Sequence, residues 1–380
     1  MSLLGEYKRI LAKNYINAVG WRTDRHLVVI ESDDWGSVRM PDKKFYDYLL
    51  SHGHPIDKTY FDHYDALEDS DDLTCLFEVL SSVKDKNGNH AVFTPLCVVA
   101  NPDFEKIEAS DFTEYFYESV LQTYKHYSGT GSTHDTAMQG IKEKVWAPQF
   151  HAREHIQSNR YLRALQSGSE LELDCFKHKA ILGFVNAGID YFPTFSIDSI
   201  LEIEDRSKTI VDGLALFERM YGYRPVSFCP PCGIVNTKLF ETFSENGVWG
   251  LMAGQYFSHE GDGKIKHYQH VWGYKNKHGQ IFTRRNCTFE PARSHNVDWA
   301  DKCMKEIEIA FRWKKPACIN SHRVSFIGRI FKDNRDDSLR QLEKLLRMIL
   351  KKWPDVEFIS SEELFNIVKF KKNGYKGFFI

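Results

Sequence analysis

The sequence predicts an α/β fold in which parallel strands alternate with helices and curl into a closed or nearly closed barrel. Three observations carry this prediction. Short apolar runs of strand length alternate with stretches of helical spacing, the pattern of βαβ units rather than of a β-sandwich. A chain of 380 residues with 42% hydrophobic side chains can bury one large core. The residues with chemistry to offer, Asp33, Asp34, His151, Cys229 to Gly233 and His322, all fall at the carboxyl ends of apolar runs, where parallel barrels gather their reactive groups.

Taken in order, residues 1–20 or so read as an N-terminal helix. The charges Glu6, Lys8, Arg9 and Lys13 interrupt any apolar stretch of the length that a secretory signal needs. The first strand is Leu27 to Glu31, running into Ser32-Asp33-Asp34-Trp35-Gly36. Leu73 to Val83 has helical spacing, and Ala91 to Val99 is the second strand. Phe104 to Gly140 is polar and aromatic, contains Ser128-Gly129-Thr130-Gly131-Ser132-Thr133, and is expected as a helical insertion over one barrel rim. Val145 to Gln149 is the third strand. Ile189 to Ser196, Pro225 to Phe228, Gly250 to Ala253, Ala317 to Ser321 and Val356 to Ile359 follow as later strands. Leu339, Leu342, Leu345, Leu346, Ile349 and Leu350 mark a packing helix that opens at Asp336 and is closed by Pro354. All of this reads as one domain over 1–380.

Composition narrows the function. The formal net charge of −2 offers no field for a polyanion, so nucleic acid is not an expected partner. No apolar run reaches the length of a membrane span. Eight cysteines, at 75, 97, 175, 229, 232, 287, 303 and 318, lack the dense spacing of a disulfide scaffold, which fits a reducing cytoplasm.

The chemistry concentrates in two motifs. Adjacent carboxylates at Asp33 and Asp34, opposite in direction or splayed by a turn, raise each other's pKa or need a cation beside them. His151-Ala152-Arg153-Glu154-His155 sets two imidazoles four residues apart, which on a helix share one face and can share one ion. A carboxylate with two histidines makes a catalytic metal set with an open position.

The ordered set Ser32-Asp33-Asp34-Trp35-Gly36, His151-Ala152-Arg153-Glu154-His155, Cys229-Pro230-Pro231-Cys232-Gly233-Ile234-Val235-Asn236 and Ile319-Asn320-Ser321-His322 resembles the polysaccharide deacetylases of carbohydrate esterase family four, the NodB-homology barrels. Those show, in the same order, T-F-D-D-G, H-[ST]-x-x-H, R-P-P-Y-G-x-x-N and L-x-H stretches. The resemblance spans roughly Leu27 to Ser361 and implies a distorted (β/α) barrel of the glycoside hydrolase/deacetylase kind. It also implies a divalent metal, commonly zinc, and hydrolysis of N- or O-acetyl groups on sugars. On this resemblance Asp34, His151 and His155 hold the metal, Asp33 is the general base, and His322 is the general acid. The Cys232 backbone N–H, the first available after two prolines, completes the oxyanion site. Asn296-Val297-Asp298-Trp299 is similar to the family's D-x-x-D-W element, making Asp298 the expected orienter of His322 and Trp299 a wall of the acetyl pocket.

Two departures stand out. Cys229 occupies the place of an arginine that pairs with the base, with Arg285, Arg293 and Arg323 as substitutes from other loops; Cys232 replaces an aromatic. The expected activity is a cytoplasmic, metal-dependent deacetylase of an acetylated sugar or oligosaccharide, nucleotide-linked or lipid-linked, in surface polysaccharide metabolism. Its alternatives are a catalytically inactive glycan-binding barrel, which the missing arginine favours, and a glycosidase on a related barrel. Cys229-Pro230-Pro231-Cys232 also has the spacing of a redox dithiol. His52, His54 and His63 with Asp57, Asp62 and Asp65 form either an accessory metal site or a polar rim loop. Tyr60, Tyr64, Tyr115, Phe116, Tyr117 and Tyr256 are either sugar platforms or core.

Overall fold

The computed structural model describes residues 3–127, 129–183 and 188–370. Met1 and Ser2 of the expected N-terminal helix, Ser128 of the expected insertion, and 184–187 and 371–380 lie outside the described residues. The strands in chain order are β1 Leu27–Trp35, β2 Phe93–Val98, β3 Ala100–Pro102, β4 Tyr117–Ser119, β5 Gln149–Ala152, β6 Ser227–Phe228, β7 Gly250–Leu251, β8 Gln255–His259, β9 Ile265–Gln269, β10 Ile281–Phe282, β11 Cys287–Thr288, β12 Ala317–His322 and β13 Glu357–Phe358. Nine of them form one sheet, ordered β10-β7-β6-β5-β2-β1-β12-β11, with β13 paired to the start of β1. Every pairing in that sheet is parallel. The expected architecture of parallel strands curled into a barrel is what the chain adopts. Its two end strands, β10 and β11, are four residues apart in sequence. The segment 281–288 thus pairs with β7 where it begins and with β12 where it ends, and joins the two ends of the curled sheet.

β1 is the central strand, and all nine of its residues are buried, as befits a parallel strand covered on both faces. Its register with β12 sets Ser32 beside Ser321 and Asp33 beside His322. Against β2 the register slips between Ser32 and Trp35, where β1 carries one residue more than its partner. Asp34 takes up that bulge with φ 78°. In a regular strand neighbouring side chains point to opposite faces, and a bulge breaks that alternation. It is this local distortion that lets both aspartates serve one site.

The helices brace the strand ends. The expected helix at Leu73–Val83 runs Ser70–Ser81, opened by a capping box between Asp69 and Asp72. The C-terminal packing helix is longer than expected, Lys332–Lys352, and stops at Trp353 ahead of Pro354. Its Leu342, Leu345, Leu346 and Ile349 are buried, each contributing about 2 kcal/mol of apolar burial. Helix Ile203–Tyr221 lies close on β5 because Gly213 has no side chain: a Cβ there would stand 2.8 Å from Phe150 and 3.0 Å from Arg153. Residues 104–140 contain helices Phe104–Ala109 and Val120–His126 and most of Thr133–Lys142. Val120 and Tyr124 from this stretch sink into the main core. No helix among the described residues is long and apolar enough to cross a membrane.

Two sequence expectations require correction. Ile189–Ser196 is irregular apart from a single bridge between Phe195 and Val235; Pro193 lies within it and has no N–H to give a ladder. The segment from His151 to His155 is not helical. His151 lies in β5 and His155 follows in a bend, because the apolar run of the third strand continues through Ala152. The strands of 281–288 and the β8–β9 hairpin were not expected, since pairs of two residues leave no periodic signature.

Candidate active site

At the carboxyl end of β1 the Asp34 Oδ1 lies 3.4 Å from His151 Nε2 and 3.0 Å from His155 Nε2. The three side chains are buried, and one ligating atom from each lies within 4.8 Å of the others. The His151 Nδ1 faces the Cys229 carbonyl at 2.8 Å, which can only accept, so the imidazole donates there and turns the Nε2 lone pair toward Asp34. That Nε2 is buried without a hydrogen-bond partner. A lone pair aimed at a carboxylate inside a protein lacks only a cation between them, and this donor set fits a divalent metal. Burial pushes the His155 imidazole pKa down against the pull of Asp34, favouring the neutral ring that a metal requires. Burial pushes the Asp34 carboxyl up, but the two imidazoles more than reverse this and hold it well below the usual range.

Asp33 belongs to a different network. Arg285 grips it with two parallel bonds, Nη1 to Oδ2 and Nη2 to Oδ1, each 2.7 Å. The same guanidinium donates to Glu31 Oε2 at 2.8 Å and to Asn320 Oδ1 at 2.7 Å. Burial raises the Asp33 carboxyl, Arg285 outweighs burial, and the net direction is down. Of the three arginines weighed for the place left by Cys229, it is therefore Arg285 that reaches the base. Arg323 is committed to Asp65 and Glu68. Glu31 was read only as the end of a strand, though a carboxylate in a buried apolar run must find a partner, and that was its signal.

His322 Nε2 stands 3.9 Å from Asp33 Oδ2, and its Nδ1 meets Glu290 Oε2 at 2.5 Å. Burial alone would lower this imidazole, but Glu290 reverses the effect and carries it up to about 10. Glu290 is fixed in turn by Ser325 Oγ at 2.6 Å. This corrects the expected role of Asp298, which caps helix Trp299–Arg312 and pairs with Lys344 instead. Trp299 is likewise a core residue, donating to the Ser294 carbonyl. Asp298 fails because the position before a helix of this spacing is a capping position. Nothing in the sequence around Glu290 marked it.

Asp33 and His322 border a cavity of about 360 Å³ with Cys232, Gly233, Arg284 and Arg285 on its wall. Cys232 has φ 55° and lies in a single 3₁₀ turn, Pro231–Gly233, whose first N–H groups have no intrahelical acceptor. Burial raises the thiol of Cys229 well above its usual range, which makes it a poor nucleophile, whereas Cys232 is exposed on the cavity wall. The histidines and aspartates of 52–65 are dispersed: His63 bonds Tyr46, Asp62 accepts from the Thr59 hydroxyl and the Gly183 N–H, and Asp65 pairs with Arg323. Among the described residues only Asp34, His151 and His155 bring three such ligating atoms together. None of the six aromatics weighed as platforms borders this cavity; Tyr256 is buried and stacks on Tyr268.

No family model matches the sequence, and no curated protein does. Solved structures do match. They include a candidate polysaccharide deacetylase from Mycobacterium smegmatis, with 12% identity over 96% of this chain and 97% of that one and a TM-score of 0.44. The peptidoglycan deacetylase PdaC from Bacillus subtilis matches with 12% identity over 91% and 92% and a TM-score of 0.35. A CE4 family pseudoenzyme from Bacillus anthracis matches with 9% identity over 90% and 65% and a TM-score of 0.35.

Proposed function

We propose that this protein is a metal-dependent hydrolase that removes an acetyl group from an N- or O-acetylated sugar. The observation that carries the reading is a metal-ready triad, Asp34, His151 and His155, placed directly beside a base and an acid, Asp33 and His322, that border one cavity. A divalent cation in that triad, zinc being the ion that two imidazoles and a carboxylate suit, supplies a Lewis acid that acidifies water and polarises a carbonyl. The remaining work falls to side chains. Asp33, kept ionised by Arg285, takes the proton of the attacking water. His322, kept protonated by Glu290, gives a proton to the departing amine or alkoxide. The Cys232 N–H faces the oxygen on which negative charge builds. The alternative of an idle glycan-binding barrel drew its support from the missing arginine, and Arg285 meets that need.

We read the substrate as an acetylated saccharide, nucleotide-linked or lipid-linked, handled in the cytoplasm. Release of acetate from acetylated oligosaccharides by the zinc-loaded protein tests the activity, with Asp33→Asn as the control that keeps the ion and loses turnover. Zinc-loaded protein that releases no acetate but binds saccharides would establish the binder instead, and new reducing ends without acetate would establish a glycosidase.

A further inference from the structure

The cavity wall holds a cation that the reaction does not use. Of its charged residues, Asp33 is matched by Arg285 and His322 by Glu290. Arg284 alone among the charged residues lining it has no carboxylate at ion-pair distance within the described residues; its hydrogen bond runs from Nη1 to the His270 carbonyl at 2.9 Å. Burial lowers its pKa, and Tyr15, an exposed ring of helix Leu3–Ala18, opposes that. The side chain is nevertheless seated. A Cβ on Gly254 would fall 2.3 Å from Arg284 Cγ and 3.0 Å from Cδ, so the arginine stem lies directly on the bare backbone of Gly254. A guanidinium with its stem fixed, its head half-buried and its charge unanswered costs free energy unless an anion answers it. Its planar fork suits the paired oxygens of a carboxylate or a phosphate.

We propose that Arg284 receives an anionic oxygen group of the substrate, so that the acetylated saccharide taken by this site is one that carries a carboxylate or a phosphate. The proposal rests on the reading of the site as a saccharide deacetylase, and it deepens that reading by naming a substrate class. Arg284 is a specificity residue in this account.

The test uses the zinc-loaded full chain and three ligands without acetyl groups, so that binding is read apart from turnover: a neutral tetrasaccharide, its uronate-terminated counterpart and its 6-phosphate. Calorimetry on the native protein should show at least one charged ligand binding about 10–100-fold tighter than the neutral one, the size of one charge-assisted hydrogen-bonded contact. The better of the two identifies the group. Arg284→Gln should erase that preference and leave the neutral ligand unchanged, and Arg284→Lys should restore part of it. Gly254→Ala keeps the charge but displaces the stem, and should also lose the preference. Equal binding of charged and neutral ligands, a preference that survives Arg284→Gln, or no binding of any of the three overturns the proposal. Acetate release from acetylated forms of the same ligands is measured separately. Release without charge preference leaves the hydrolase standing and removes the role of Arg284, whereas charge preference without release does the reverse.

Discussion

Replacing Arg285 by glutamine strands two carboxylates, and the structure sets the scale of the damage. The guanidinium is about seven-eighths buried, with side-chain exposure of 13%, and it donates to Asp33 twice, to Glu31 and to Asn320. Taking one partner out of a buried ionic cluster costs roughly 3–5 kcal/mol, because the charges left behind cannot return to water. With 380 residues and about 2.1 cal/mol/K of unfolding entropy per residue, the entropy at the midpoint is about 0.8 kcal/mol/K, so Tm should fall by about 4–6 °C. Scanning calorimetry on the zinc-loaded protein reads this directly. Asp33→Asn combined with Arg285→Gln removes one stranded charge, so the double variant should be more stable than the sum of the single losses implies, by about 1–3 kcal/mol. Cys229 borders the same cavity, and Cys229→Arg in an Arg285→Ala background should recover acetate release. A Tm shift within 1 °C for Arg285→Gln, or strictly additive losses, would refute the view that Arg285 neutralises the base.

Other outcomes follow from the same geometry. An acid that must be protonated loses activity as pH rises through its pKa. Glu290 holds His322 up to about 10, so Glu290→Gln should move the alkaline limb of the pH–rate profile down toward about 6.5; an unmoved limb would exclude His322 as the acid. Asp34→Ala and His151→Ala should lose the bound ion, as measured on protein purified without chelator, whereas Asp33→Asn should retain it. Far from the site, burial raises Glu172 to about 7, its carboxyl accepting from the Tyr191 hydroxyl at 3.1 Å. Its folded pKa lies above its unfolded one, so the native state binds more protons between about 4.3 and 7 and stability falls by about 4 kcal/mol as pH rises across that window. Glu172→Gln should flatten that slope and raise Tm at pH 8, and parallel Tm curves for variant and native protein would contradict it.

How much of this was legible beforehand depends on the length over which each feature is written. β1 and β12 have nine and six residues, buried on both faces, and their apolar runs are plain in the sequence. Segment 281–288, which joins the ends of the barrel, pairs through only two residues at either end, too few for any periodicity, and it therefore stayed hidden together with the placement of Arg285. The two histidines were legible as a ligand pair because four residues separate them. Their backbone was misread because a strand that ends in a bend can bring the same two rings together as a helical turn would. His322 was visible at the end of an apolar run, but Glu290 was not, since its bond to the imidazole depends on the approach of elements 32 residues apart.

The arginine shows why such features escape a one-dimensional reading. Asp33 requires a positive charge at a point in space, and several strand ends of a parallel barrel converge on that point. The motif resemblance expected the charge from position 229, at the end of β6, where this chain has a buried thiol bonded to the Met252 carbonyl. Segment 281–288 crosses the same mouth from the other side and brings Arg285 to Asp33 in a bidentate fork. Electrostatics fixes the charge and its geometry, whereas the barrel leaves open which strand end delivers it. A motif that loses one residue is therefore not evidence of lost chemistry until every strand end facing the site has been searched for a replacement.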